Sequence, residues 1–144
     1  MPIKSFRGLI ADNTQDTIVL HTNNGSTGYK IVKFQIIGPD SNENIESTVK
    51  IYKISQTTID DKIDFNDDTL LAAATFSGTT SSANTAAQVI VFDNEIFNKD
   101  IYVTHKDDAV GQEINYYIEL EQIKLDLNEN TVATLKDIRN IASQ

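Results

Sequence analysis

A hydrophobic alternation that slips by one residue near the end of the chain constrains its fold more than any other feature. From Ile114 the apolar residues fall on every second position, Ile114, Tyr116, Ile118 and Leu120, while Asn115, Tyr117, Glu119 and Glu121 take the opposite positions. A period of two is that of a half-buried β-strand. Past Gln122 the apolar set moves to Ile123, Leu125 and Leu127. A regular strand cannot absorb such a slip without exchanging its buried face, so a bulge or the strand's end is predicted there. Beyond Asn128 the period changes. Val132, Leu135, Ile138 and Ile141 recur every three residues after a capping Asn130 or Thr131, which predicts a short amphipathic helix over about 131–142.

Upstream, the same reading yields strands. Thr17 to Thr22 is β-branched and apolar and runs into the turn signal Asn23-Asn24-Gly25-Ser26. Tyr29 to Ile37 follows, with Val32, Phe34 and Ile36 opposite Ile31, Lys33 and Gln35, and Gly38-Pro39-Asp40 ends it. About Thr48 to Ser55 is predicted as a strand with a bulge or with both faces buried, because Val49 and Ile51 alternate against Tyr52 and Ile54. Ile59 to Asp68 reads as an acidic loop. Leu70 to Phe76 fits helix or strand on its alanines, and Thr75, Phe76 and the following Ser-Gly-Thr-Thr favour a strand. Residues 77–85 are small and polar, a loop. Gln88 to Phe92 is apolar at consecutive positions, as in a strand buried on both faces. Ile101 to Thr104 is a short strand, Lys106 to Gly111 a loop, and Ile114 to Leu125 the longest strand. About seven or eight strands with turns between them predict a single-domain, all-β antiparallel sandwich, jelly-roll-like, closed by the C-terminal helix. Lys50, Lys53 and Lys124 read as guards against edge-to-edge pairing.

With 144 residues the chain fits one domain, and with no cysteine it excludes disulfides and thiolate metal sites. Residues 1–7 contain no signal-length apolar core and no run approaches a membrane span, so no membrane partner and no export address are predicted. The formal charge is −9 and unevenly spread. Residues 1–53 hold six cations, Lys4, Arg7, Lys30, Lys33, Lys50 and Lys53, against five acids, whereas the remainder holds six against sixteen. An acidic chain without a dense basic run repels phosphate backbones, which argues against a nucleic-acid partner.

The chemistry-bearing residues do not assemble into a reaction. His21 and His105 stand outside any local ligand motif, although Asp107 and Asp108 after His105 suggest an acid–base or metal pair. Asp60, Asp61, Asp64, Asp67 and Asp68 are hard oxygen donors at short spacing and form a weak calcium candidate, without the turn glycine or closing glutamate of an EF-hand. No GxSxG or SxxK motif supports a hydrolase, and no glycine-rich loop supports a phosphate or cofactor site. Glu119 and Glu121 share a strand face as a glycosidase pair could, or simply solvate a sheet. Tryptophan is absent, so a sugar platform would fall to Tyr29, Tyr52, Tyr102, Tyr116 and Tyr117. These residues predict a non-enzymatic protein with no cofactor that works through its surface.

Two stretches, FRGLIADNTQDTIVLHTNNGSTGYKIVKF at 6–34 and NYYIELEQIKLDLNENTVATLKDIRNI at 115–141, resemble small virion-associated proteins of marine tailed bacteriophages. The resemblance is weaker across the loops at 40–47, 60–68 and 77–85, and it carries no catalytic motif. It implies a capsid decoration protein, assembled in the host cytoplasm into the virion. Such a protein binds the major capsid protein or another virion protein and itself, as trimers especially. A tail, neck or fibre component and a carbohydrate-binding module are the alternatives. The charge asymmetry makes Arg7, Lys30, Lys33 and Lys53 the expected shell-facing cations, and Leu135, Ile138 and Ile141 of the helix the expected apolar contact.

Overall fold

The structure, a computed structural model, describes residues 2–20, 26–39, 44–78 and 87–125. It holds eight strands: β1 (Ile3–Ile10), β2 (Thr14–Ile18), β3 (Thr27–Ile37), β4 (Ile45–Tyr52), β5 (Leu70–Gly78), β6 (Ala87–Phe92), β7 (Ile101–Asp107) and β8 (Ile114–Lys124). They form two antiparallel sheets, one of three strands in the order β1-β8-β3 and one of five in the order β2-β7-β4-β5-β6. The all-β sandwich expected from the alternation is what the chain forms. The helix expected over 131–142 lies outside the described residues.

The pairing follows from folding a long hairpin on itself. An eight-strand hairpin rolled into a jelly roll pairs first with last, second with seventh, third with sixth and fourth with fifth. Three of those pairs are present, β1·β8, β2·β7 and β4·β5. The fourth is displaced. β6 pairs with β5 instead, and β3 meets Phe97, just beyond β6, through reciprocal backbone bonds between Tyr29 and Phe97 of 2.7 and 2.9 Å. Gln88 Nε2 of β6 still reaches the Ile36 carbonyl of β3 at 2.7 Å.

The core lies between the sheets. Ile10, Tyr29, Ile31, Phe34, Ile36, Ile114, Ile118 and Leu120 face Ile18, Val49, Ile51, Leu71, Ile101 and Val103, with Phe97 closing one side. Of the two outcomes expected past Gln122, a bulge or the strand's end, β8 gives the strand's end, at Lys124. β8 runs unbroken, and the register slips between Ile31 and Lys33 of β3, leaving Val32 as the extra residue. Tyr29 and Ile31 point inward before this bulge and Phe34 and Ile36 after it, so the predicted single face of Val32, Phe34 and Ile36 is corrected by one residue.

Further expectations change. β1 was absent from the sequence reading, and the second strand begins at Thr14 and ends at Ile18. β4 begins and ends three residues earlier than predicted, at Ile45 and Tyr52, while the expected burial on both faces is found, with a register slip opposite Leu71. β7 extends to Asp107, taking the first two residues of the loop predicted over Lys106 to Gly111. β6, predicted to be buried on both faces, is exposed at five of its six residues, because it is an edge of the larger sheet. The three lysines read as edge guards are not on edges. Lys50 and Lys53 belong to or follow β4, at the centre of the larger sheet, and Lys124 ends β8, at the centre of the smaller.

Candidate interaction face

Directly opposed residues of an antiparallel ladder share a face, so the register of β1, β8 and β3 defines the outer surface of the smaller sheet row by row. Leu9, Asn115 and Ile37 form one row, and Arg7, Tyr117 and Gln35 the next. Ser5, Glu119 and Lys33 follow, then Ile3, Glu121 and Lys30. Three of the four cations expected at a partner surface, Arg7, Lys30 and Lys33, are thereby brought onto one face. With Glu119 and Glu121 between them, its formal charge is +1 on a chain of −9.

The charged groups of this face hold one another in place. Lys33 Nζ lies 5.7 Å from the Tyr117 ring centre, and the Tyr117 hydroxyl donates to Glu119 Oε2 at 2.7 Å. That bond raises the Tyr117 pKa above its ordinary value, since the neighbouring carboxylate disfavours a phenolate. One end of the face is apolar, with Leu9 and Ile37 exposed on either side of Asn115. A shallow cup of about 420 Å³ opens there between Arg7, Leu9, Gln35, Ile37 and Tyr117. Gly8 also lines it, and on the inner side a Cβ there would come 3.0 Å from the ring and hydroxyl of Tyr116. Tyr116 points inward, and its hydroxyl donates across the sandwich to Asp16 Oδ2 of β2 at 3.0 Å. Burial and this carboxylate push its pKa far up.

The remaining candidates are dispersed. Lys53 is buried and paired with Glu95 at 3.0 Å, so it does not join the other three cations. Leu135, Ile138, Ile141 and His21 lie outside the described residues. The carboxylates of the acidic loop diverge. Asp60 pairs with Lys50 at 2.8 Å, Asp64 accepts from Asn66 N, and Asp67 accepts from the backbone and hydroxyl of Thr69. Asp61 turns to Asp108, whose pKa it raises. No group of three His, Cys, Asp or Glu able to hold a metal occurs among the described residues, and Asp68 adds none. Tyr29, Tyr52 and Tyr116 are buried, while Tyr102 and Tyr117 belong to the two different sheets, so the tyrosines form no common platform.

His105 has a nucleophile-like neighbour in Ser47, whose Oγ is 2.8 Å from its Nε2. Its Nδ1 lies 3.1 Å from the Ile10 carbonyl and 3.2 Å from that of Ala11. Those carbonyls can only accept, so Nδ1 carries the proton and the Ser47 hydroxyl donates to Nε2. With Ser47 2 % and His105 0 % exposed, no substrate reaches the pair. Asp107 accepts instead from the backbone N–H groups of Glu46, Val110 and Gln112. This cluster fastens the corner where β7 leaves one sheet for β8 in the other.

The sequence reading singled out the cations of the outer face and missed its apolar end. Leu9 and Ile37 each sit beside a fully buried isoleucine, Ile10 and Ile36, and only the register separates the exposed member of each pair from the buried one. Compared with known proteins, the chain matches no protein-family model, no curated protein and no solved structure.

Proposed function

We propose that this chain is a non-enzymatic structural protein of a tailed-phage particle, a decoration protein that docks on the outside of the head shell through the outer face of β1, β8 and β3. The observation that carries the reading is the gathering of Arg7, Lys30 and Lys33 with exposed Leu9 and Ile37 on one face of an otherwise strongly acidic chain. The two stretches that resemble virion-associated proteins support it, since 6–34 contains β2 and the larger parts of β1 and β3, and 115–141 nearly all of β8. Most of the docking sheet, with Arg7, Lys30, Lys33 and Leu9, lies within the resembling parts.

The division of labour follows from charge and rigidity. A face of +1 is drawn to an acidic shell while the acidic remainder faces solvent, which accelerates and orients docking more than it deepens affinity. The apolar end supplies the desolvated contact. Each copy contributes binding energy only in the assembled lattice, so the shell is stabilised by mass action against the pressure of its contents.

Two measurements test this. The ratio of this chain to the major shell protein in purified particles is expected to be near one by quantitative mass spectrometry. A few copies per hundred would move the protein to the tail, neck or fibre, and its absence would discard the virion role. Arg7→Glu/Lys33→Glu is expected to fold normally and to lose at least about tenfold in affinity for particles stripped of the protein. Unchanged binding would remove this face from the docking role.

A further inference from the structure

Among the described residues the edge strands are β1 and β3 in one sheet and β2 and β6 in the other. Lys4 and Arg7 guard β1, Asp16 guards β2, and Lys30 and Lys33 guard β3. β6, Ala87-Gln88-Val89-Ile90-Val91-Phe92, carries no charge and no proline. Its side chains are uncovered as well, with Val89 62 %, Val91 49 % and Phe92 39 % exposed. An apolar edge without such guards is a template for another strand.

The backbone specifies which groups are on offer. Asp93 N donates to Leu71 O at 2.8 Å, which makes Asp93 and Leu71 a hydrogen-bonded pair of the β5·β6 ladder. Such pairs recur at every second residue, so Val91, Val89 and Ala87 direct their N–H and C=O groups to β5. The groups of Gln88, Ile90 and Phe92 point the other way, and no strand among the described residues pairs with that side.

Charge selects the occupant. From Thr69 to Phe92 the chain contains no Asp, Glu, Lys or Arg, although 23 % of its residues are charged. Two copies carrying −9 each repel along most of their surfaces, and this neutral stretch lets them approach. We propose that a second copy of this chain pairs antiparallel with β6 about a two-fold axis at Ile90, joining the two five-stranded sheets into one. This register sets outward-pointing groups against outward-pointing groups, Ile90 to the partner's Ile90 and Gln88 to the partner's Phe92. Asp93 then falls opposite the partner's neutral Ala87, whereas a parallel pairing would set Asp93 against the partner's Asp93. On the exposed face Val89 meets the partner's Val91, so both valines leave water. A two-fold contact of this kind makes a dimer, in place of the trimer implied by the resemblance.

Sedimentation of the full chain in solution over a range of micromolar concentrations tests the pairing without any particle. The wild-type chain is expected to dimerise. Val89→Lys/Val91→Lys places lysine against lysine twice and is expected to raise the dimer Kd at least about tenfold, with a melting temperature equal to wild type at concentrations where both chains are monomeric. Val89→Lys/Val91→Glu places each lysine opposite a glutamate in this register alone and is expected to keep the dimer. A wild-type chain that stays monomeric would overturn the proposal. So would a trimer indifferent to both variants, or a Val89→Lys/Val91→Glu chain as monomeric as the double lysine.

Discussion

Lys50 shows how far a single residue's environment can depart from its sequence context. It sits on the outward side of β4, opposite Ala73 and Thr104, yet it is only 2 % exposed. The loop after β4 folds over that side, and its Nζ meets Asp60 Oδ1 at 2.8 Å and the Lys62 carbonyl at 2.6 Å, with the Tyr52 ring centre 5.5 Å away. Burial works against the ammonium, but the Asp60 bond and Tyr52 outweigh it and raise the Lys50 pKa. Lys50 holds Asp60 below its ordinary carboxylate value in turn. The pair is asymmetric, since the lysine is enclosed and the Asp60 side chain is half exposed. Removing the aspartate strands a buried charge, while removing the lysine leaves a carboxylate that water can solvate. Asp60→Ala is therefore expected to destabilise by about 1–3 kcal/mol in urea unfolding. Lys50→Met, which keeps the stem and removes the charge, is expected to cost less. The opposite order would show that the pair does not fasten the loop.

At the scale of elements, legibility depended on whether a strand's surroundings are encoded in the strand itself. β8 and most of β3 were readable because each has one buried and one wet face, and alternation reports that directly. The bulge in β3 was not, because Val32 is apolar like its neighbours, and only the pairing of Ile31 with Leu120 and of Lys33 with Glu119 marks it as the extra residue. β6 misled for a related reason. Apolar residues on both faces signal a central strand, and nothing inside AQVIVF says that β5 is its only ladder partner among the described residues. β1 was hidden by Gly8, whose place in the alternation belongs to the ring of Tyr116. The docking cations were legible as a charge bias, but their common face came from pairing, and the same pairing put Lys53 elsewhere. A second glycine makes the element scale testable. Gly28 opens β3 opposite Ile123, and a Cβ there would stand 2.8 Å from Ile96 Cγ2 and 3.2 Å from a Leu125 methyl. Those side chains seal the end of the sandwich beside the Tyr29–Phe97 bridge. Gly28→Ala is expected to cost about 1–3 kcal/mol through overpacking, read as a lowered urea midpoint. An unchanged midpoint would mean that Ile96 moves aside freely.

For the molecule as a whole, the two sheets are joined by polar contacts as well as by the core, and these make its stability depend on pH. His105 of the larger sheet holds the carbonyls of Ile10 and Ala11, at the end of β1 in the smaller one. Burial pushes its pKa below the ordinary histidine value, with the two carbonyls and the charges of Asp12 and Asp107 opposing only in part. The folded state therefore keeps the imidazole neutral at a pH where the unfolded chain, titrating near 6.5, takes up a proton. Stability rises with pH wherever the unfolded state binds more protons. This contribution is complete above about pH 6.5 and declines as pH falls toward the folded pKa, by at most about 1.4 kcal/mol per unit. Asp107 acts in the same direction lower down. Burial raises its pKa, but the N–H groups of Gln112, Glu46, Val110 and Ala109 outweigh that and hold it below the ordinary carboxylate value of 3.8. Its contribution is lost as pH falls from 3.8 toward the folded value. Urea midpoints are accordingly expected to be flat between pH 8 and 7, to fall below about 6.5, and to fall again below about 4. His105→Gln is expected to be less stable at every pH, because Ser47 and the β1 carbonyls lose their ring partner. Its midpoint is expected to stay level between pH 7 and 5, while the acidic decline remains. A His105→Gln chain that kept the full wild-type slope in that interval would assign it to other groups, and the corner between β1 and β7 would then have no part in the pH response.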